Sequence, residues 1–340
     1  MFGFEKNEVD RRVYEEELAP FLPEHVVDAH AHLWTKEQDH HHKAKGCVTW
    51  TQLVAEECML EDLQQTYRDL FPNQCVKPVV MGYPMVDLAE TNAYAQSCAA
   101  KAGLPVLYCT HSSQPAEEVE REVLAGGFCG LKPYQCNAPS YIPDSEVRIF
   151  DFLPPEHLEL ANRHSWTVML HISRPGRLRD PLNIAQLMQI EERWPNIKLI
   201  VAHVGRAYSR EDLGDAFQTL RQTKNMMFDF TANTLDLAME QCIEAVGPGR
   251  VMFGSDLPIT KMRMYRVTEN GFYYNVVPRG LYGDVSTDPH MRETDEPGLT
   301  NFLYEELRAF RRCAQKLALS KKEVADILCG NAVSLFGIHF

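Results

Sequence analysis

A distorted (β/α)8 TIM barrel is the fold this sequence predicts, on three observations. Eight short runs rich in Val, Ile, Leu, Met and Phe recur along the chain, and seven of them are reached through a helical stretch. Near-continuous apolar strands suit a parallel sheet covered on its outer face, and repeated strand–helix alternation closes most naturally as a barrel. Second, residues able to do chemistry fall at the C-terminal ends of these runs: His30 and His32, Lys132, His171, His203 and Asp256. In a barrel those ends meet at one mouth. Third, the first run ends in His30-Ala31-His32, where an open dinucleotide-binding sheet carries a glycine-rich phosphate turn.

In chain order, residues 1–24 are expected to form an N-terminal extension, helical around Glu8 to Leu18 and broken by Pro20 and Pro23. Residues 25–340 make the barrel. Strand periodicity over 25–32 sends His30 and His32 to one side with Asp28 beneath them, and Val27, Ala29 and Ala31 to the other. The polar stretch from Trp34 to Lys45 carries His40, His41 and His42, which reads as a solvated loop, with a lid over the site as the lesser alternative. A helix over 51–70 presents Leu53, Leu60, Leu63 and Tyr67 on one face. Strands follow at 75–83, 106–109, 128–132, 167–171, 198–203, 226–230 and 250–256. The helices between them lie at 88–102, 116–124, 156–163, 183–193, 211–221 and 235–245, with a Pro- and Tyr-rich excursion at 135–155. Residues 261–299 show neither periodicity and are expected to be a cap loop, placed directly after a strand end. Helices at 302–317 and 321–328 close the chain, the second capped by Ser320 and stopped by Gly330.

Composition sets the class. Among 340 residues, 45% are hydrophobic and 24% charged, as in soluble globular proteins, and the net charge of −13 opposes nucleic acid and anionic membrane surfaces. No apolar run approaches the length needed to span a bilayer, so a cytoplasmic protein is expected. The ten cysteines are scattered without paired spacing and are expected to be reduced, none with a chemical role. Arg174, Arg177 and Arg206 follow strand ends and are candidates to hold a substrate carboxylate, weighed evenly against ordinary ion pairs. Tyr134 and Asp229 share the same edge and are candidate substrate contacts.

Imidazole and carboxylate are ligands that zinc, iron(II), manganese and cobalt accept. Such an ion acidifies water, so hydroxide at neutral pH without a strong base is the chemistry the strand ends suggest. With Asp28-Ala29-His30-Ala31-His32, Leu170-His171, Ala202-His203-Val204-Gly205, Phe253-Gly254-Ser255-Asp256 and the terminal Gly330-Asn331-Ala332 occurring in this order, the sequence resembles the amidohydrolase superfamily. The resemblance is to the amidohydrolase-related branch that includes aminocarboxymuconate-semialdehyde decarboxylase, γ-resorcylate decarboxylase and pyrone-dicarboxylate lactonase. It implies one divalent metal, usually zinc with manganese, iron or cobalt as alternatives, held by His30, His32, His171 and Asp256. It also implies His203 as the catalytic acid/base, with Asp256 handling the proton of water. For Lys132 it leaves open a carboxylated lysine bridging two metals, an anion-binding lysine, which we favour, and a lysine reaching solvent. The expected function is a metal-dependent hydrolase acting on an amide or lactone carbonyl of a small carboxylated substrate, with a homo-oligomer left open. The alternatives are a non-oxidative decarboxylase, a carbon–carbon lyase built from the same residues, and a non-catalytic binding barrel.

Overall fold

The structure, a computed structural model, describes residues 5–38, 51–85 and 87–340. Eight parallel strands pair in sequence order: β1 (His25–Leu33), β2 (Cys75–Gly82), β3 (Val106–Thr110), β4 (Gly130–Pro133), β5 (Thr167–Leu170), β6 (Lys198–Val201), β7 (Met227–Asp229) and β8 (Val251–Met252). The ring is closed by the segment after β8. The Ala29 amide donates to the Phe253 carbonyl at 3.0 Å, the Asp256 amide to His30 at 2.8 Å, and the His32 amide to Leu257 at 2.7 Å. The alternation therefore builds a TIM barrel, as expected. Inside it, Val27, Ala29, Val79, Met81, Leu107, Met169, Ile200 and Met252 form one buried layer. Val26, Val80, Val168, Val201 and Val251 pack outward against helical residues such as Leu63, Leu158, Leu187, Phe217 and Phe310.

β1 is not a regular strand. Its register against β2 passes from Asp28 opposite Pro78 to Ala31 opposite Val80, so one residue is extra. Such a bulge reverses which face the following side chains take. Ala29 accordingly lies in the inner layer while Ala31 packs outside with the helices. Asp28 is turned outward to Tyr67, not beneath the histidine pair as strict alternation requires. The His30 and His32 rings are tilted by 55° with centroids 5.4 Å apart.

Four other elements differ from expectation. The helix over 51–70 is two helices, Thr51–Val54 and Leu60–Leu70, because Cys58 pairs with Trp34 through two backbone hydrogen bonds that need extended chain there. The helix over 211–221 is broken into Arg210–Leu213 and Ala216–Leu220, with Gly214 at φ 47°. Gly330 does not stop the last helix. It continues the helical run at φ −58°, and Gly337, at φ 66°, ends it. The 261–299 stretch contains a three-stranded sheet, β9 (Tyr265–Glu269), β10 (Phe272–Pro278) and β11 (Met291–Thr294). Its hairpin turns on Asn270-Gly271, both at positive φ, an Asn-Gly signal flanked by alternating apolar residues that was present in the sequence.

Residues Glu8–Arg12 and Val13–Leu18 are helical, and Tyr14 stacks on Tyr304 of the helix Phe302–Lys316. Among the described residues no disulfide joins two cysteines. Among the described residues no helix is long and apolar enough to cross a membrane. His40, His41, His42 and Cys47 lie outside the described residues, as does the side chain of Leu53.

Candidate metal centre

Three imidazoles at the barrel mouth are held in the same orientation by their Nδ1 atoms. His30 Nδ1 lies 3.2 Å from Asp229 Oδ2, His32 Nδ1 lies 2.9 Å from the Gly82 carbonyl, and His203 Nδ1 lies 2.9 Å from the Thr231 carbonyl. Each partner only accepts, so each Nδ1 must carry its proton, and in its neutral form each ring turns an Nε2 lone pair to the centre. Burial, with Lys132 alongside, holds His30 well below the usual imidazole range, and burial also lowers His203. Neutral imidazole is the ligand form.

Asp256 faces these lone pairs. Its Oδ1 is 3.5 Å from His30 Nε2 and 3.4 Å from His32 Nε2. Neither Asp256 Oδ1 nor His32 Nε2 has a hydrogen-bond partner, although both are buried. Two acceptors at that separation repel unless a proton or cation lies between them. Two ligands about 2.1 Å from one ion at a tetrahedral angle stand about 3.4 Å apart, so the spacing fits a shared divalent cation. Burial pushes the Asp256 carboxyl up, but His32, His203 and His30 outweigh it and leave it below the usual carboxylate range. Among the described residues, one group of three carries donor atoms all within 4.8 Å of one another: His30, His203 and Asp256. His171 stands across the mouth, its ring edge-on to His203 at 5.1 Å and stacked on Tyr134 at 5.1 Å, with Nδ1 unpartnered. Lys132 is fully buried with Nζ 3.1 Å from His30 Nε2, and burial pushes its pKa down to about 8. It does not reach solvent at the rim.

The second layer sorts two aspartates that the sequence could not. Asp229, a candidate substrate contact, instead holds the His30 ring through Oδ2 and the His203 backbone amide through Oδ1 at 2.7 Å, so one carboxylate orients one imidazole and pins the backbone that carries another. Asp28 touches no imidazole ring. It accepts from the His30 amide, the Ser255 amide and hydroxyl, and Tyr67 Oη at 2.6 Å, and so ties β1 to the segment that closes the barrel. Gly254, before that Ser255, is required by packing: a Cβ there would lie 2.7 Å from His30 Cβ.

Backbone strain collects at the same place. His203, Val204, Gly205 and Arg206 all have φ between 49° and 61°, a left-handed turn, and Asp256 has φ 59°. Left-handed conformation costs non-glycine residues about 1–2 kcal/mol each, so surrounding contacts must hold it. The Asp229 bond to the His203 amide is one of them.

Beyond the imidazoles lies a cavity lined by Tyr83, Tyr134, His171, His203, Arg206, Tyr208, Asp256, Arg266, Tyr273 and Phe302, among others. Arg206 bonds to the Ile172 carbonyl at 3.4 Å, and Arg266 to the Ala232 carbonyl and Asn275 Oδ1, both at 2.9 Å. Among the described residues neither is in an ion pair, although both are half-buried and burial lowers both guanidinium pKa values. Two half-buried cations hydrogen-bonded only to neutral groups face a cavity. Arg266 also lies over the rings of Tyr208 at 4.8 Å and Tyr273 at 4.5 Å.

Of the arginines and aromatics picked from sequence, the structure brings Arg206 and Tyr134 to the cavity. Arg174 is paired with Asp180 at 3.0 Å, and Arg177 with Asp212 at 2.7 Å while it stacks on Tyr273. Arg266, Tyr208 and Tyr273 were missed. Arg266 and Tyr273 arrive on the β9–β10 hairpin, whose Asn-Gly turn was the available signal.

Residues 27–338 match the family model described as Amidohydrolase. No curated protein matches the sequence. Among solved structures, an amidohydrolase from Burkholderia multivorans with bound zinc has a TM-score of 0.60 at 15% identity, covering 92% of this chain and 99% of that one. A probable 2-pyrone-4,6-dicarboxylic acid hydrolase from Acinetobacter baumannii with citric acid bound has 0.57 at 15%, covering 92% and 99%. A 5-carboxyvanillate decarboxylase from Novosphingobium aromaticivorans, complexed with manganese and 4-hydroxy-3-methoxy-5-nitrobenzoic acid, has 0.54 at 13%, covering 92% and 96%. At these identities the likeness concerns the fold.

Proposed function

The chain belongs to the amidohydrolase family, and from that premise we propose that it is a divalent-metal-dependent hydrolase acting on a carbonyl of a small carboxylated substrate. His30, His32 and Asp256 would hold the cation at the spacing described, with His171 closing the set from across the mouth. A divalent ion at such a set acidifies water and polarises a carbonyl oxygen. Zinc suits the imidazole-rich donors, and manganese, iron or cobalt would be accepted by the same atoms. A carboxylated Lys132 bridging two ions is the less favoured reading, because Nζ already contacts His30.

The observation that carries the proposal is the orphaned pair of acceptors, His32 Nε2 and Asp256 Oδ1, in a buried pocket. The chain's own residues then divide the work. Asp256 accepts the proton of the attacking water. His203, with Nε2 free and Nδ1 anchored, moves a proton at the substrate oxygen. Arg206 and Arg266 hold the substrate carboxylate, which supplies the negative charge both guanidiniums lack. Tyr134, Tyr208, Tyr273 and Phe302 flank the substrate body and exclude water.

Hydrolysis is preferred over the alternative, non-oxidative decarboxylation, because Asp256 is held below the usual carboxylate range and so suits taking a proton from water, whereas decarboxylation must deliver one to carbon. The test is a panel of lactones, amides and aromatic or enoic acids, incubated with zinc- and manganese-loaded protein. Acid release without CO2 supports hydrolysis. CO2 release assigns the lyase reaction, and silence across the panel with metal bound favours a non-catalytic barrel.

A further inference from the structure

The cap sheet that carries Arg266 and Tyr273 is anchored at its stem by a residue from the far N-terminus. Asp10, in the helix Glu8–Arg12, is fully buried. Its Oδ1 accepts from Arg263 Nη1 at 2.9 Å and from Thr300 Oγ1 at 2.7 Å, and its Oδ2 from Arg263 Nη2 at 2.7 Å and the Asn7 amide at 2.9 Å. Four donors satisfy the carboxylate, and two of them form the forked guanidinium pairing that fixes orientation as well as distance.

Arg263 and Thr300 belong to opposite sides of the stem. Residues 262–264 run against 300–302: Met264 N donates to the Thr300 carbonyl at 3.0 Å, Phe302 N to Met262 at 2.8 Å, and Arg263 and Asn301 form an antiparallel bridge. Arg263 Nη1 also reaches the Leu299 carbonyl at 2.6 Å. One buried carboxylate thus grips the chain where it enters the cap and where it leaves. Arg266 lies three residues beyond Arg263. On the other side, the N-terminal segment is seated on the helix Phe302–Lys316 through Tyr14 on Tyr304 and Glu17 with Arg308 and Arg311.

We propose that Asp10 is a positioning residue that locks the stem of the cap, so that the N-terminal segment sets where Arg266 and Tyr273 stand in the cavity wall. Its consequence for substrate rests on the carboxylate-holding function proposed for Arg266; the lock itself does not.

Hydrogen–deuterium exchange on the whole chain tests it, with Asp10→Asn, which keeps shape and removes charge, and Arg263→Lys, which keeps charge and removes the fork. In Asp10→Asn, amides in 264–300 should exchange about tenfold faster while those of β1 to β8 stay within about twofold. Arg263→Lys should give a smaller acceleration confined to the same residues, and it carries the test if Asp10→Asn does not fold. Unchanged cap exchange, or equal acceleration of cap and barrel, overturns the lock. Citrate affinity and zinc content are measured on the same samples. A several-fold loss of citrate affinity in Asp10→Asn at unchanged zinc content supports the positioning role, and a smaller loss in Arg263→Lys strengthens it. Unchanged citrate affinity beside accelerated cap exchange contradicts the carboxylate role of Arg266 and leaves the lock standing.

Discussion

His32 Nε2 and Asp256 Oδ1 face each other across 3.4 Å, both buried and neither hydrogen-bonded. The relationship depends on the Gly82 carbonyl, which accepts a hydrogen bond from His32 Nδ1 and so turns Nε2 toward the carboxylate. A site built this way gains from a cation and loses when one acceptor is removed. Asp256→Asn and His32→Ala should each lower metal affinity by at least about 100-fold and abolish turnover, read by metal titration and by the substrate panel.

Asp229 acts through the imidazole it orients and the backbone it pins. Asp229→Asn keeps the shape but frees the His30 ring and weakens the hold on the strained His203 turn. Metal affinity is expected to fall about 10- to 100-fold, with rate partly restored by excess metal. Rate loss without any loss of affinity would show that the aspartate contacts substrate after all.

His203 separates a ligand from a proton carrier. Under the proposed mechanism His203→Gln retains the metal and loses about 10²- to 10⁴-fold in rate. Loss of metal in this variant would instead make His203 a ligand, as its place with His30 and Asp256 among donors within 4.8 Å of one another allows.

Arg206→Gln and Arg266→Gln should each weaken a carboxylate ligand by about 1.5–3 kcal/mol, the worth of a hydrogen bond to a charged group, at unchanged metal content. A fall in both Tm and metal content would mark the arginines as structural.

Glu306 gives the pH dependence. It is buried, accepts only the Ala232 amide, and burial together with Asp28 raises its pKa well above the usual carboxyl range. A raised folded-state pKa means that the native state keeps a proton the unfolded chain has released. Its stabilising contribution is full below the unfolded value near 4.3 and declines as pH rises toward the folded pKa, by up to about 1.4 kcal/mol per pH unit. Glu306→Gln removes that slope, so the variant should match wild type near pH 4 and exceed its stability at pH 8, read by chemical denaturation. Equal pH slopes would show that the group is ionised in the fold.

The barrel and the convergence of His30, His32, His171, His203 and Asp256 were legible because each polar residue ends an apolar run, and strand ends have one destination in this fold. The bulge in β1 was not legible. It depends on pairing with β2, and it turned Asp28 outward while keeping both histidines at the mouth. The arginine that faces the cavity from the cap was hidden for a different reason: its hairpin was signalled by Asn270-Gly271, but what it would face depends on a stem held by a residue 253 positions away. Arg174 and Arg177 looked equivalent to Arg206 in sequence, and only the placement of Asp180 and Asp212 separates them.

Metal analysis of the purified protein after reconstitution with zinc tests the account most directly, alongside His30→Ala, His32→Ala and Asp256→Asn. About one tightly held ion per chain in the wild type, lost in all three variants while the fold by circular dichroism is retained, is the predicted result. A wild type that holds no ion after reconstitution, or variants that hold as much as it does, would contradict it.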